Sequence, residues 1–264
     1  MPAEPEKDAP APGIPERAVP VKSDTREPSA PARVLSIHAH PDDQEFTVGG
    51  TLAKWARAGS HVVTVCITSG GAGSNEHTPP GMTREALVPI REEEQRQACR
   101  VLGVAEVVFL GYEDGMLESS LALRRELTRV IRRHRPDAVV CGDPTVRYYG
   151  AMYMNHPDHR AASDAALDAV FPSAETRLIF PELLDEGLEP HKVRAVFIHG
   201  SEQPDTFIDI SEVLSVKLAA LKEHRTQMGT WDPTEMITGW AAMQGAPRKI
   251  EAAESFRVMR LHDP

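Results

Sequence analysis

"RVLSIHAHPDDQEFTVGGTLAKWARAG", residues 33–59, runs from a short apolar segment through a turn dense in histidine and aspartate into an amphipathic stretch closed by glycine. A short apolar run bounded by turn residues reads as a buried strand, and the spacing after it reads as a helix ending at Gly59. The alternation continues downstream. Strands are expected at "HVVTVCIT" (61–68), "EVVFLGY" (106–112), "DAVVCGD" (137–143), "VRAVFIHG" (193–200) and "TFIDI" (206–210). Helices are expected over 88–104, 120–135, 156–170 and 212–228, with a long loop at 69–87 and irregular stretches at 182–190 and 228–247. Strands alternating with such helices imply βαβ units. The expected fold is therefore α/β: a Rossmann-like, open, mostly parallel sheet with helices on both faces, in a single domain.

The chain has 264 residues, and its 29 basic against 39 acidic residues give a formal charge of −10. That charge opposes polyanions, so neither nucleic acid nor an anionic membrane is an expected partner. Cys66, Cys99 and Cys141 are too few and too widely spaced for a disulfide framework or a metal knuckle, and each lies in or beside an apolar run. They read as small core hydrophobes in a reducing, cytoplasmic compartment. No window approaches the roughly 18 apolar residues of a membrane span. Residues 1–31 carry eight of the 22 prolines and almost no large apolar groups. Such a segment buries too little to offset its ordering entropy, so it reads as a disordered tail ahead of one domain over 32–264.

Open parallel sheets bind ligands beyond the carboxyl ends of their strands. The first strand runs there into "HPDD" (40–43) and the fourth into a segment that ends in "HPDH" (156–159). His40 and Asp43 are three apart, as are His156 and His159, so each pair can face one point. Each motif alone also has a plain reading: Pro41 shaping a turn whose aspartates cap the next helix, or Pro157 opening a helix with two exposed histidines. Two His-Pro-Asp tripeptides, each after a parallel strand and each followed by a further ligand, point jointly to a metal site in which Asp42 flanks the ion as a general base. A dinucleotide site is rejected, because the first turn lacks G-x-G-x-x-G. No G-x-S-x-G elbow supports a serine nucleophile.

"AHPDDQEF", "GGTLAKWARAG", "REEEQRQACRVLGV", "LGYEDGML" and "HPDHR" occur in an order that resembles the LmbE-like, or PIG-L, family of zinc-dependent N-deacetylases. "EPHKV", "FIDISEVLSVKLAALKEHRTQM" and "ESFRVM" look most like the diacetylchitobiose deacetylase subgroup. The resemblance implies hydrolysis of an N-acetyl group from an N-acetylglucosamine-containing small molecule or short oligosaccharide. It implies one divalent ion per chain, Zn2+ or another first-row metal, held by His40, Asp43 and His159, with Asp42 as general base. His156 would stabilise the oxyanion or donate a proton, Asp158 would orient a histidine, and Arg91 and Asp114 would hold sugar hydroxyls. The expected partner is an N-acetylated amino sugar, and a homo-oligomer is compatible with it. Some relatives carry a tyrosine two residues before the first histidine of the second motif; Met154 stands there and Tyr153 is one position off, so no catalytic tyrosine is assigned. Rival readings are an amidase of thiol-sugar conjugates, a deacetylase of an antibiotic or glycoside intermediate, a phosphoesterase and a non-catalytic binding module. A phosphoesterase more often needs a second metal, and the intact motifs argue against a binding module.

Overall fold

The first strand alternates strictly: Leu35 and Ile37 enter one hydrophobic cluster and Val34 enters another on the opposite face. That two-sided burial, with period 2, is what a strand sandwiched between helical layers requires. In the computed structural model, which describes residues 27–262, the strands are β1 (Arg33–His38), β2 (His61–Thr68), β3 (Glu106–Tyr112), β4 (Ala138–Gly142), β5 (Tyr148–Tyr149), β6 (Tyr153–Met154), β7 (Ala195–His199), β8 (Thr206–Asp209) and β9 (Ala253–Arg260). The helices are α1 (Asp43–Thr47), α2 (Gly49–Arg57), α3 (Arg84–Leu102), α4 (Leu121–His134), α5 (Pro157–Asp168), α6 (Glu182–Asp185), α7 (Leu214–Leu221), α8 (Arg225–Met228) and α9 (Thr234–Gly245).

A seven-stranded sheet has the order β3-β2-β1-β4-β7-β9-β8, and β5 pairs with β6 as a separate hairpin. The pairings from β3 to β7 are parallel, whereas β9 runs antiparallel to both β7 and β8. One core lies under α4 and α5, with Leu123, Leu127, Ile131, Ala162 and Ala166 packed on Leu35, Ile37, Val63 and Val139. The other holds Leu52, Trp55, Ala98, Leu102 and Ala220 against Val34, Val62, Val140 and Phe256. Each such fully buried large side chain contributes about 1.5–3 kcal/mol, so the sheet is the rigid platform of the molecule.

The chain leaves β1 toward β2 and β3 on one side, then returns to place β4 against the other side of β1. Strand order therefore switches between β1 and β4, the place where the loops splay apart and leave a crevice. Residues 38–45 follow β1 and residues 143–159 follow β4, which brings both His-Pro-Asp motifs to that crevice.

The expected α/β sheet is present, with differences in detail. The helix read from residue 88 starts at Arg84, where the Thr83 hydroxyl accepts the Ala86 amide; Pro89 lies inside α3, in its second turn, and offers no N–H to the Glu85 carbonyl. The helix read over 212–228 breaks at His224, whose ring turns inward to Glu45. The stretch read as irregular from 228 holds α9, and β9, not anticipated as a strand, inserts between β7 and β8. Most of the tail read over 1–31 lies outside the described residues; at its end, Glu27 pairs with Lys54 at 2.6 Å and Ala30 packs on the second core. Among the described residues, no helix is long and apolar enough to cross a membrane.

Candidate active site

The turn after β1 is knotted on itself. The His40 amide donates to Asp43 Oδ2 at 2.8 Å, so the third residue after the histidine is folded back beneath it. Asp42, between them, takes φ +88°, a left-handed conformation uncommon for a residue with a Cβ. On the other side of the crevice, Pro157 opens α5 and the His156 ring caps it, with Nδ1 accepting the Asp158 amide at 3.2 Å. With its Nδ1 an acceptor, a neutral His156 carries its proton on Nε2. One helical turn then presents His156, Asp158 and His159 to the same space.

His40 is the meeting point, and its two ring nitrogens face different partners. Nδ1 lies 3.2 Å from His159 Nε2 and 3.5 Å from Asp43 Oδ2, while His159 Nε2 lies 3.0 Å from Asp43 Oδ1. Nε2 lies 3.0 Å from Asp114 Oδ1 and 3.2 Å from Asp158 Oδ2. Two groups, His40 with His156 and His159, and His40 with Asp114 and Asp158, bring their ligand atoms within 4.8 Å of one another and could hold a metal ion. The two acidic partners on the Nε2 side are already occupied. Asp114 Oδ2 accepts the Ala72 amide at 2.7 Å, and Asp158 accepts the Gly115 and Leu117 amides at 2.7 and 3.3 Å.

The electrostatics follow the geometry. Burial opposes a charge on His40, but Asp43, Asp114 and Asp158 outweigh it and push its pKa up to about 12. His159 is raised despite its burial, again by Asp43. Burial would raise Asp43, but the facing His159 and His40 hold it well below the ordinary carboxylate value. Burial raises Asp42, opposed by Arg91 and His224. His156 is lowered by burial and by the neighbouring His40 and His159. A pocket that holds protons this firmly on two imidazoles is a well of negative potential.

All eight residues expected at the site from the sequence are placed around this crevice, though not all in the expected way. Arg91 is buried, with Nη2 donating to Pro41 O at 2.7 Å and Asp42 Oδ2 at 3.1 Å and Nη1 donating to Gly70 O at 2.9 Å. Asp114 sits behind His40. His38 packs at the end of β1, bonded to Ser36 Oγ at 2.7 Å and stacked on His199. Met154 and Tyr153 lie exposed on the β5–β6 hairpin. Sequence reasoning passed over Gln95, whose Oε1 accepts the Asp42 amide at 2.9 Å, and gave Glu45 no role, although it is fully buried 3.2 Å from His224. The available signal was spacing: Gln95 follows Arg91 by four residues, on the same face of α3.

With that geometry in place, comparison with known proteins is informative. Residues 35–170 match the family described as PIG-L, GlcNAc-PI de-N-acetylase. The chain is 34% identical over 206 residues to the diacetylchitobiose deacetylase of Thermococcus kodakarensis, covering 76% of this chain and 74% of that protein. It is 29% identical over 203 residues to the probable N-acetyl-alpha-D-glucosaminyl L-malate deacetylase 2 of Bacillus anthracis, covering 75% and 82%. Among solved structures, N,N′-diacetylchitobiose deacetylase from Pyrococcus horikoshii, complexed with its inhibitor MPG, superposes with a TM-score of 0.79 at 30% identity, covering 87% of this chain and 84% of that one.

Proposed function

The chain belongs to the PIG-L (LmbE-like) family of deacetylases, and from that premise we propose that it is a metal-dependent hydrolase of N-acetylated amino sugars. It removes the acetyl group of an N-acetylglucosamine-containing small molecule or short oligosaccharide and releases acetate. The observation that carries this reading is the approach of His40 Nδ1, His159 Nε2 and the Asp43 carboxylate to within 3.0–3.5 Å of one another. Ligand atoms around a tetrahedral ion with bonds of 2.0–2.1 Å lie about 3.3 Å apart, so this donor set fits zinc or another first-row divalent ion. The negative potential that raises His40 and His159 favours the same cation. Asp114 and Asp158 face the other ring nitrogen of His40, and serve instead to hold the proton on Nε2 and aim Nδ1 forward.

When bound, such an ion supplies Lewis acidity that polarises the acetamide carbonyl and acidifies an adjacent water. Asp42 accepts that water's proton on its carboxylate, which Arg91 orients through Oδ2. The water oxygen bonds to the carbonyl carbon, and His156 offers its Nε2–H to the developing oxyanion. A well-placed donor of this kind contributes about 3 kcal/mol to transition-state stabilisation. As the C–N bond breaks, the proton that Asp42 took from the water passes to the leaving amine, and acetate departs.

Acetate release from N,N′-diacetylchitobiose and from N-acetylglucosaminyl L-malate, compared between zinc-loaded and chelator-stripped protein, tests the reading. Release from at least one of them by the loaded chain alone is expected. No release from either, or equal release after stripping, contradicts it.

A further inference from the structure

The base assigned above sits in a sparsely populated backbone conformation, and the structure shows what holds it. Asp42 is at φ +88°, in the left-handed region that Gly adopts freely and that Asn and Asp visit as single residues. Two side chains on successive turns of α3 grip that turn. Arg91 takes the Pro41 carbonyl and the Asp42 carboxylate, and Gln95 takes the Asp42 amide through Oε1 at 2.9 Å. Gln95 is fully buried, and its Nε2 donates to Glu45 Oε1 at 3.0 Å.

An amide side chain can flip, and in the flipped state Gln95 would present an N–H to the Asp42 N–H. Glu45 opposes this, because the Oε1 that faces Gln95 already accepts the Gln44 amide and so selects the orientation with Nε2 toward it. Glu45 is itself fixed. Its Oε1 also accepts Gln44 Nε2 at 2.6 Å, its Oε2 lies 3.2 Å from the buried His224, and Thr64 Oγ bonds the far end of Gln44 at 2.6 Å. These hydrogen bonds join Asp42, Gln95, Glu45, Gln44 and Thr64, and none of them ends on a His40, Asp43 or His159 side chain.

We propose that Gln95 is a positioning residue that holds Asp42 in its left-handed conformation, with Glu45 fixing the orientation of the Gln95 amide. The inference rests on the reading of Asp42 as the base. It explains why a fully buried, uncharged side chain on α3 is aimed at the backbone of the residue between two metal ligands.

The test uses Gln95→Met, which is close in volume and removes both hydrogen bonds, and Gln95→Glu, whose carboxylate keeps an acceptor for the Asp42 amide and needs no fixed orientation. For Gln95→Met, kcat for acetate release from N,N′-diacetylchitobiose is expected to fall about tenfold. KM and zinc per chain should stay the same, and a crystal structure of the variant should show Asp42 at negative φ. Gln95→Glu is expected to keep Asp42 at positive φ. A Gln95→Met protein with parental kcat and Asp42 still at positive φ overturns the proposal, as does a folded Gln95→Glu protein with Asp42 at negative φ. If Gln95→Met does not fold, Gln95→Glu decides alone. Asp42→Asn in the same series separates the two claims: its retained turnover would sink the assignment of the base, whereas the φ of Asp42 in Gln95→Met reads the positioning role by itself.

Discussion

His40 turns Nε2 toward Asp158 Oδ2 at 3.2 Å, and the same oxygen accepts the Gly115 amide at 2.7 Å. A residue 118 positions further along the chain thus faces the nitrogen of the first histidine that is turned away from His159, together with Asp114 Oδ1 at 3.0 Å. A carboxylate on one imidazole nitrogen keeps the proton there and leaves the lone pair of the other free to bind. On the proposed reading, metal affinity should therefore depend on a residue that does not touch the metal.

Asp158→Asn keeps the shape of this contact and removes its charge. Zinc affinity is expected to fall by about 10- to 100-fold, as is usual when a histidine ligand loses its carboxylate partner. Competition against a chromophoric chelator measures it, and unchanged affinity would mean that Asp158 does not orient His40.

His156 is assigned to the oxyanion rather than to the metal, although its ring centroid lies only 4.9 Å from that of His40. His156→Ala should therefore lower kcat by about 10²–10³ while zinc per chain is unchanged. Loss of the metal in this variant, read by atomic absorption, would make His156 a ligand instead.

Metal binding should be strongly pH-linked. In the metal-free chain His40 is raised to about 12 and His159 is raised as well, so at pH 7 His40 holds a proton that the metal has to displace. Protons and metal compete for the same nitrogens, so affinity rises with pH and falls on acidification. Calorimetry at pH 7 in buffers of different ionisation enthalpy should show about one proton released per zinc or more. Binding without proton release would contradict the charge state derived for His40.

Much of this was legible in the residues themselves. The apolar runs of β1 to β4 and the turns after them dictate the parallel sheet, and "HPDD" and "HPDH" name the ligand types. What joins the two motifs is strand order, and no local pattern reports that β4 lies against β1. The edge of the sheet was harder still. Residues 254–259 alternate burial on β9, yet the strand's partners are residues 195–199 and 206–209, so the insertion between two earlier strands is a non-local event. The helix break at His224 was hidden because Glu45, beside which its ring is buried, lies far away in sequence. Gln95 carries no charge and no metal-binding atom, and only the position of Asp42's amide gives it meaning.

The inserted strand also carries a buried pair that the fold depends on. Glu254 on β9 accepts the Gly50 and Thr51 amides at the start of α2, at 2.9 and 2.7 Å, and Lys217 Nζ meets it at 2.6 Å with both side chains nearly inaccessible. Lys217→Met strands a buried carboxylate and should lower the unfolding free energy by about 3–5 kcal/mol in equilibrium urea denaturation. Lys217→Met with unchanged stability would contradict this.

The most direct measurement compares acetate release by zinc-loaded wild-type protein and zinc-loaded Asp42→Asn on the same N-acetylglucosamine-containing substrate, with zinc per chain determined for both. The account predicts equal zinc, since His40, Asp43 and His159 are untouched, and loss of nearly all turnover, since the proton acceptor is gone. Asp42→Asn that binds zinc and retains most of its turnover would contradict it.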